Sequence, residues 1–292
     1  NFCAQKIRER HLEGADISSL RAVINCSEPV RWESHQAFYE KFKDYGLKLE
    51  ALQTSYAMAE NVFSVTQSPL GSKPVVDEID REAFILERVA KSPFDERPSI
   101  KMMSSGYPLD NVEIRIMDED DNVVDERVIG EIVLQGNSML TGYYNRDDLT
   151  EQAFTSGWFR TGDYGYMVGK DIFVTGRKKD MIIVGGRNVY PQDLEMLTYE
   201  VPGVHAGRAV AFGIFDEKQG TEDVVIIAEI DSDDAAEWQK TADSIRLHVT
   251  RNSAIALRYV RVVGPNWIVK TSSGKTARLA NKEKFLGELL GE

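Results

Sequence analysis

The chain has 292 residues, 42% of them apolar, which is enough for two domains or one large one. A formal net charge of −12 argues against a nucleic-acid backbone as the main partner, though a local basic pocket for a phosphate remains compatible with it. Cys3 and Cys26 show neither metal spacing nor a disulfide framework, no apolar run approaches the ~20 residues of a membrane span, and no signal peptide is visible, so a reducing, cytoplasmic setting is expected.

In chain order, residues 2–12 suit a short helix and residues 20–25 (LRAVIN) a short strand. Ser27, Glu28 and Pro29 follow that strand directly. Residues 31–43 carry Trp32, Phe38, Tyr39 and Phe42 at broadly helical spacing, and Gly46 stops the helix. Residues 49–53 are a second strand candidate. Strand, helix, strand predicts part of a parallel sheet covered by helices, with ligand sites beyond the carboxyl ends of the strands. Residues 27–29 and 55–60 fall at such ends. In the stretch TSYAMAEN (54–61), Tyr56 suits either stacking on a planar group or filling a core. Glu60 suits either an oxygen ligand for Mg²⁺ or a surface carboxylate.

Residues 67–107 are punctuated by prolines, with a short helix expected at 82–91. So long an excursion is either a functional insertion or a surface decoration. Order returns at Val112: residues 113–117 and 130–135 predict an antiparallel hairpin region. The acidic run 118–122 between them lacks the spaced ligands of a calcium loop and reads as a solvated turn. Residues 138–144 are a turn-rich link and 147–154 a short helix. In GWFRTGD (157–163), Asp163 after a glycine turn suits either a ribose diol or a turn-forming role. Residues 165–168 and 171–175 read as strands joined at Gly169-Lys170.

Residues 176–195 read GRKKDMIIVGGRNVYPQDLE. The pattern is a strand at 181–184, a turn at Gly185-Gly186, and a helix from Pro191 to about Tyr199. Strands at 208–214, 224–230 and 259–263 predict a three-stranded sheet, with helices 191–200 and 233–252 on one face. This is a small domain of about 115 residues, near the common domain size, with its boundary at 177–180. In KTSSGKTAR (270–278), the Ser-Ser-Gly turn is expected to present Lys275 on a mobile loop. The frame of a phosphate-cradling P-loop is missing, but a lysine still supplies positive charge to a phosphate or carboxylate. The four histidines, His11, His35, His205 and His248, lack an acid or nucleophile arrangement and are not expected to be catalytic bases.

Taken together, four motifs in order resemble the adenylate-forming superfamily of acyl-CoA synthetases, amino-acid adenylation domains, luciferases and fatty acyl-AMP ligases. They are Tyr56-Ala-Met-Ala-Glu60, Arg160-Thr-Gly-Asp163, the stretch from Gly176 to Glu195, and Ser273-Gly-Lys275. The resemblance implies an α/β fold with an additional antiparallel β region. Residues 1–176 would be the C-terminal portion of the large AMP-binding domain. Residues 177–292 would be a small, mobile α+β lid, hinged at about 177–180. It implies that Tyr56 lines the adenine and that Ser27, Glu28 and Pro29 form a wall beside it. Asp163 would hold the ribose hydroxyls, Arg177 would contact ribose or phosphate, and Glu60 would coordinate Mg²⁺. Lys179 would sit at the hinge, and Lys275 would bridge carboxylate and α-phosphate.

The implied cofactors are ATP and Mg²⁺, and the implied reaction is fatty-acid activation to an acyl-adenylate. The long segment between Glu60 and Ser105 resembles that of fatty acyl-AMP ligases. An acyl carrier protein is therefore the expected acceptor, with CoA as the alternative. The departures are Met58 and Asn61 in the first motif and Ile268-Val269 before the last. The family's phosphate loop is expected upstream of residue 1, so this stretch alone is expected not to complete adenylation.

Overall fold

The computed structural model describes residues 2–26, 30–95, 97–205, 207–272 and 274–290. Two compact units divide the chain, Asn1–Thr175 and Gly176–Glu292.

In the first unit, a short helix α1 (Phe2–Lys6) precedes β1 (Val23–Asn25), α2 (Trp32–Phe42) and β2 (Leu52–Ala57). β1 and β2 pair in parallel, Val23 opposite Leu52 and Asn25 opposite Thr54, as the strand–helix–strand pattern predicts. Phe42 seats α2 on Leu47, Ala51 and Leu52. The second strand comes later than expected: residues 49–51 form a 3₁₀ turn, so Thr54 to Ala57 lie inside β2, not in a loop beyond it. The reason is a polar interior. Gln53 accepts from the Ser68 hydroxyl (2.7 Å), and Ser55 donates to the Thr66 carbonyl (2.8 Å). These bonds satisfy buried polar side chains that a search for apolar alternation passes over. They accompany antiparallel pairing of β2 with β3 (Ser64–Gln67), another strand too polar to be read in advance.

The excursion at 67–107 contains an antiparallel pair, β4 (Val76–Asp80) and β5 (Ser99–Met103). The expected helix at 82–91 is reduced to a wide turn, Ala83–Glu87. Asp77, on β4, receives the Arg127 guanidinium at 3.0 and 3.2 Å and the Tyr166 hydroxyl at 3.0 Å. Burial first, then Asp77, pushes the Tyr166 phenol up, so it stays a donor. β6 (Tyr107–Pro108) completes a sheet in the order β1-β2-β3-β6.

The second sheet is built from β7 (Val112–Met117), β8 (Gly130–Gly136), β9 (Phe154–Thr155), β10 (Trp158–Val168) and β11 (Asp171–Arg177). Its order is β11-β10-β8-β7, with β9 on β10. The β7–β8 hairpin and the helix α3 (Asp147–Ala153) lie where the sequence predicts them. β10 is longer than predicted, because its first half also pairs with β8.

In the second unit, β12 (Ile182–Val184) and β13 (Arg187–Val189) form a hairpin through Gly185 (φ 56°) and Gly186 (φ 77°). Both turn residues need positive φ, which glycine adopts without steric cost. α4 (Pro191–Tyr199) starts at Pro191, as expected. β14 (Ala209–Asp216) and β15 (Thr221–Glu229) are antiparallel, and α5 (Ala235–Ser253) crosses over to β16 (Leu257–Val263), parallel to β15. Asp234 caps α5 through the Ala236 amide (2.9 Å). Leu194, Leu197, Ile245 and Val249 pack with Ala211 and Ile226, so α4 and α5 share one sheet face. Val210, Phe212 and Ile227 face the other way and are covered by Phe285 of α6 (Arg278–Phe285), a layer absent from the sequence reading. Among the described residues no helix is long and apolar enough to cross a membrane.

Candidate active site

Tyr56 is buried in β2 with Val65, Ile132 and Leu134 around it. Its hydroxyl donates to Asp163 Oδ2 at 2.6 Å, so two residues of separate motifs meet directly. Asp163 does not follow a free turn. It lies in a bulge inside β10: between Arg160 and Tyr164, β10 advances four residues while β8 advances two. Gly162 (φ 69°) makes the bulge possible. The Thr161 hydroxyl donates to the Ile132 carbonyl (2.7 Å) and accepts from the Asp163 amide (3.0 Å). Glu131 accepts the Gly162 amide at 3.2 Å on one oxygen and Arg160 at 2.6 Å on the other. Arg160 also pairs with Asp121 of the acidic turn. Glu131 is 4% and Asp163 5% exposed, so both carboxylates are held by geometry and screened little by water.

Glu60 follows on a 3₁₀ turn, Ala59–Asn61. Its backbone carbonyl accepts from the Leu140 amide (2.8 Å), and its Oε1 accepts from the Tyr143 hydroxyl (3.2 Å). Burial first, then the Glu60 charge, raises the Tyr143 pKa, which keeps the phenol protonated and donating. Asn61, 2% exposed, donates to the Ser64 carbonyl (2.9 Å) and accepts from Ser138 (2.7 Å). The next residue, Val62, has φ 67° and ψ −54°, and the Phe63 amide donates to the Asn61 carbonyl at 2.7 Å. This is a γ-turn of the rare, strained hand, here at a β-branched residue. Among the described residues no group of three or more His, Cys, Asp or Glu is placed to hold a metal. One half-buried carboxylate fits Mg²⁺ in the mode where a single protein oxygen is supplemented by substrate phosphates and water.

The remaining candidates lie elsewhere. Arg177 is the exposed last residue of β11, and Lys179 is exposed on the 3₁₀ turn Lys178–Asp180. Lys275 sits on a loop that proves to be braced. The Thr271 amide donates to the Lys275 carbonyl (2.7 Å), the Lys275 amide to Thr271 Oγ1 (3.1 Å), and the Ala277 amide to the Val269 carbonyl (3.0 Å). Buried Asn281 accepts the Val269 amide (2.8 Å) and donates to the Val269 carbonyl (2.9 Å). The described residues on either side of Ser273 are thus hydrogen-bonded to one another. Ser27, Glu28, Pro29 and Ser273 lie outside the described residues. Burial pushes the His35 pKa down to about 4, and its Nδ1 has no hydrogen-bond partner among the described residues. His248 pairs with Glu200 at 2.7 Å, away from every motif.

The AMP-binding enzyme family matches residues 2–144. A chain of the fatty acyl-adenylate ligases of E. coli and L. pneumophila superposes with a TM-score of 0.89 at 28% identity, covering 100% of this chain and 52% of the other. The chain belongs to the adenylate-forming superfamily. Among its relatives is a probable long-chain-fatty-acid–AMP ligase, FadD30 of Mycobacterium tuberculosis. It is 32% identical, over 98% of this chain and 51% of its own length. A second is the medium-chain-fatty-acid–[acyl-carrier-protein] ligase JamA of Moorena producens, 30% identical over 97% of this chain and 50% of its own. The chain thus spans about half the length of the relatives it matches.

Several supporting residues escaped the sequence reading: Tyr143, Glu131 and the pair Glu195–Arg278. Only Glu131 carried a local signal, a carboxylate opening the apolar run Ile-Val-Leu of β8. The others are visible only through partners far along the chain.

Proposed function

We propose that the full-length protein activates a fatty acid with ATP and hands the acyl group to an acyl carrier protein. A carboxylate oxygen attacks the α-phosphorus, the bond from that phosphorus to the β-phosphate oxygen breaks, and pyrophosphate leaves. The product is a mixed anhydride, and no proton moves because the carboxylate is already ionised. A carrier thiol, giving up its proton to solvent, then attacks the acyl carbonyl, the bond from the acyl carbon to the phosphate oxygen breaks, and AMP departs.

The observation that carries this reading is the Tyr56–Asp163 pair, a fixed and buried carboxylate of the kind that grips a ribose diol. In this reading Asp163 takes the ribose hydroxyls, Tyr56 lines the adenine while orienting Asp163, and Ser27, Glu28 and Pro29 flank the base. Arg177 meets ribose or phosphate. Glu60 holds Mg²⁺, which when bound supplies charge neutralisation at the phosphates. Lys275 bridges the two anions as charge shifts between them, where a fixed cation acts most strongly. Residues 1–176 act as part of the large AMP-binding domain, and residues 177–292 as a lid pivoting at Lys179. An ATP-consuming reaction of this kind belongs in the cytoplasm.

The names of the relatives support a fatty acid as substrate, and that of JamA supports a carrier protein as acceptor. The test is ATP–pyrophosphate exchange by the full-length protein across a fatty-acid series, followed by thioester assays with acyl carrier protein and with CoA. Exchange that depends on a fatty acid supports the proposal. Absence of exchange with every chain length refutes it, and efficient acyl-CoA formation reassigns the acceptor.

A further inference from the structure

Behind the lysine hairpin stands an ion pair, half-buried Arg278 with buried Glu195, that the reaction does not use. Arg278 is the first residue of α6, three positions after Lys275. Its Nη1 donates to Glu195 Oε1 on α4 and to the Ala211 carbonyl at the middle of β14. Glu195 Oε1 also accepts the Ala211 amide at 2.9 Å, so both main-chain groups of Ala211 are engaged. Arg278 Nε lies 3.6 Å from Asp180 Oδ2, on the turn that carries Lys179. One guanidinium therefore ties four elements together: the hinge turn, α4, the sheet and the base of the lysine hairpin.

Stability alone does not account for this arrangement. Removing a guanidinium and a carboxylate from water is costly, and an apolar pair of similar volume usually serves a core as well or better. What the pair adds is direction. Nη1 holds α4 and β14 by hydrogen bonds, and Nε, with no hydrogen-bond partner among the described residues, meets Asp180 as an ion pair, so one side chain is held from two directions. Burial opposes its charge, but Glu195 and then Asp180 outweigh that, and the pKa is raised, so the clamp stays charged.

We propose that Arg278 is a positioning residue that couples the Lys275 hairpin to the hinge turn through Asp180, so that the lysine moves with residues 178–180 as one body. The inference rests on the role assigned to Lys275 in the proposed function. It goes beyond that role by naming what aims the lysine. Arg278 touches no reacting atom. Its loss lets the hairpin drift by a fraction of its length, and a displacement of about 1 Å at a catalytic group costs up to ~100-fold in rate.

The experiment uses the full-length protein and compares wild type with Arg278→Gln, Arg278→Lys, Asp180→Asn, Lys275→Ala and the double variant Arg278→Gln/Lys275→Ala. Two rates are read: ATP–pyrophosphate exchange, and thioester formation from supplied acyl-adenylate, which needs no adenylation lysine. We expect Arg278→Gln to lower the exchange kcat about 30- to 100-fold, with the ATP KM and the transfer rate changed less than about 3-fold. Arg278→Lys, with one charge and no planar fork, should recover part of the loss. In the Lys275→Ala background, Arg278→Gln should add nothing, because residues acting as a unit are not additive.

Equal losses in both half-reactions, or full additivity with Lys275→Ala, would overturn the proposal and leave Arg278 a folding residue. If Arg278→Gln fails to fold, Asp180→Asn decides, since it cuts only the hinge arm and leaves the Glu195 pair whole. A drop in exchange alone supports the coupling, and wild-type exchange defeats it. No exchange by the wild-type protein defeats the proposed function itself. Exchange that survives Arg278→Gln defeats this inference only.

Discussion

The two units support their motif residues in opposite ways. In the first, the motif residues are themselves buried and touch: Tyr56 donates to Asp163, and the bulge that carries Asp163 is pinned by Glu131. In the second, Lys275 stands on a partly exposed hairpin, backed by buried Asn281 and Glu195 and by the half-buried Arg278. A group that grips a ligand through fixed hydrogen bonds gains from a dry, immobile setting. In the proposed function Lys275 would reach two anions, which calls for a partly exposed position, and its aim would come from its base. The units also differ in how they bury charge. Both pair an arginine with a buried carboxylate, Arg160 with Glu131 and Arg278 with Glu195, but the first also buries a neutral histidine, His35.

Removing the surface cation should give the largest effect. Lys275→Ala is expected to lower pyrophosphate exchange about 100- to 1,000-fold, the range for losing one preorganised transition-state contact. It should leave the melting temperature near wild type, because the hairpin is closed by main-chain bonds. A similar loss of stability would mean that the side chain is structural. In the first unit, Asp163→Asn should lower kcat/KM for ATP about 10- to 100-fold, chiefly through KM, as expected for charge-assisted hydrogen bonds. Tyr56→Phe, which removes only the orienting phenol, should cost less than Asp163→Asn. The reverse order would break the assignment of Asp163 as the gripping residue.

The buried histidine predicts a pH dependence located in the first unit. Its folded-state pKa, about 4, lies below the ordinary value of 6.5, so the unfolded chain takes up the proton first. Stability from this site is complete above pH 6.5 and is lost as pH falls toward 4, by up to about 3 kcal/mol. Urea melts of wild type and His35→Leu across that range measure it, and parallel curves would dismiss it. The smallest effect concerns Val62, which is 79% exposed in its strained γ-turn. Val62→Gly should stabilise the protein by about 1 kcal/mol, since relief of strain exceeds the added freedom of the unfolded glycine. A loss of stability in denaturant melts would show that the turn is not strained.

Legibility followed the range of the forces involved. The second unit was readable almost whole, since strands such as Val224 to Glu229 and a helix opened by Pro191 announce themselves locally. β3, β4 and β5 were not, because their polar and charged residues are satisfied by partners elsewhere: Thr66 by Ser105, Asp77 by Arg127. At the site, motif residues could be named but their support could not. Tyr143 beneath Glu60 and Arg278 beneath Lys275 leave no periodic trace. Even the bulge at Thr161 to Asp163 was seen only as a glycine, since a bulge is defined against the neighbouring strand.

Asp77 carries a consequence for how the polypeptide is made. Its partners Arg127 and Tyr166 lie 50 and 89 residues downstream. Chains emerge from the ribosome N-terminus first, at ~5–20 residues per second, and contacts between distant segments are slow to form. The β4–β5 hairpin is therefore synthesised seconds before the groups that satisfy its central carboxylate exist outside the ribosome. During that interval Asp77 keeps its water. The excursion that interrupts the motifs is among the last parts of its unit to be locked, although it is translated well before the strand that locks it.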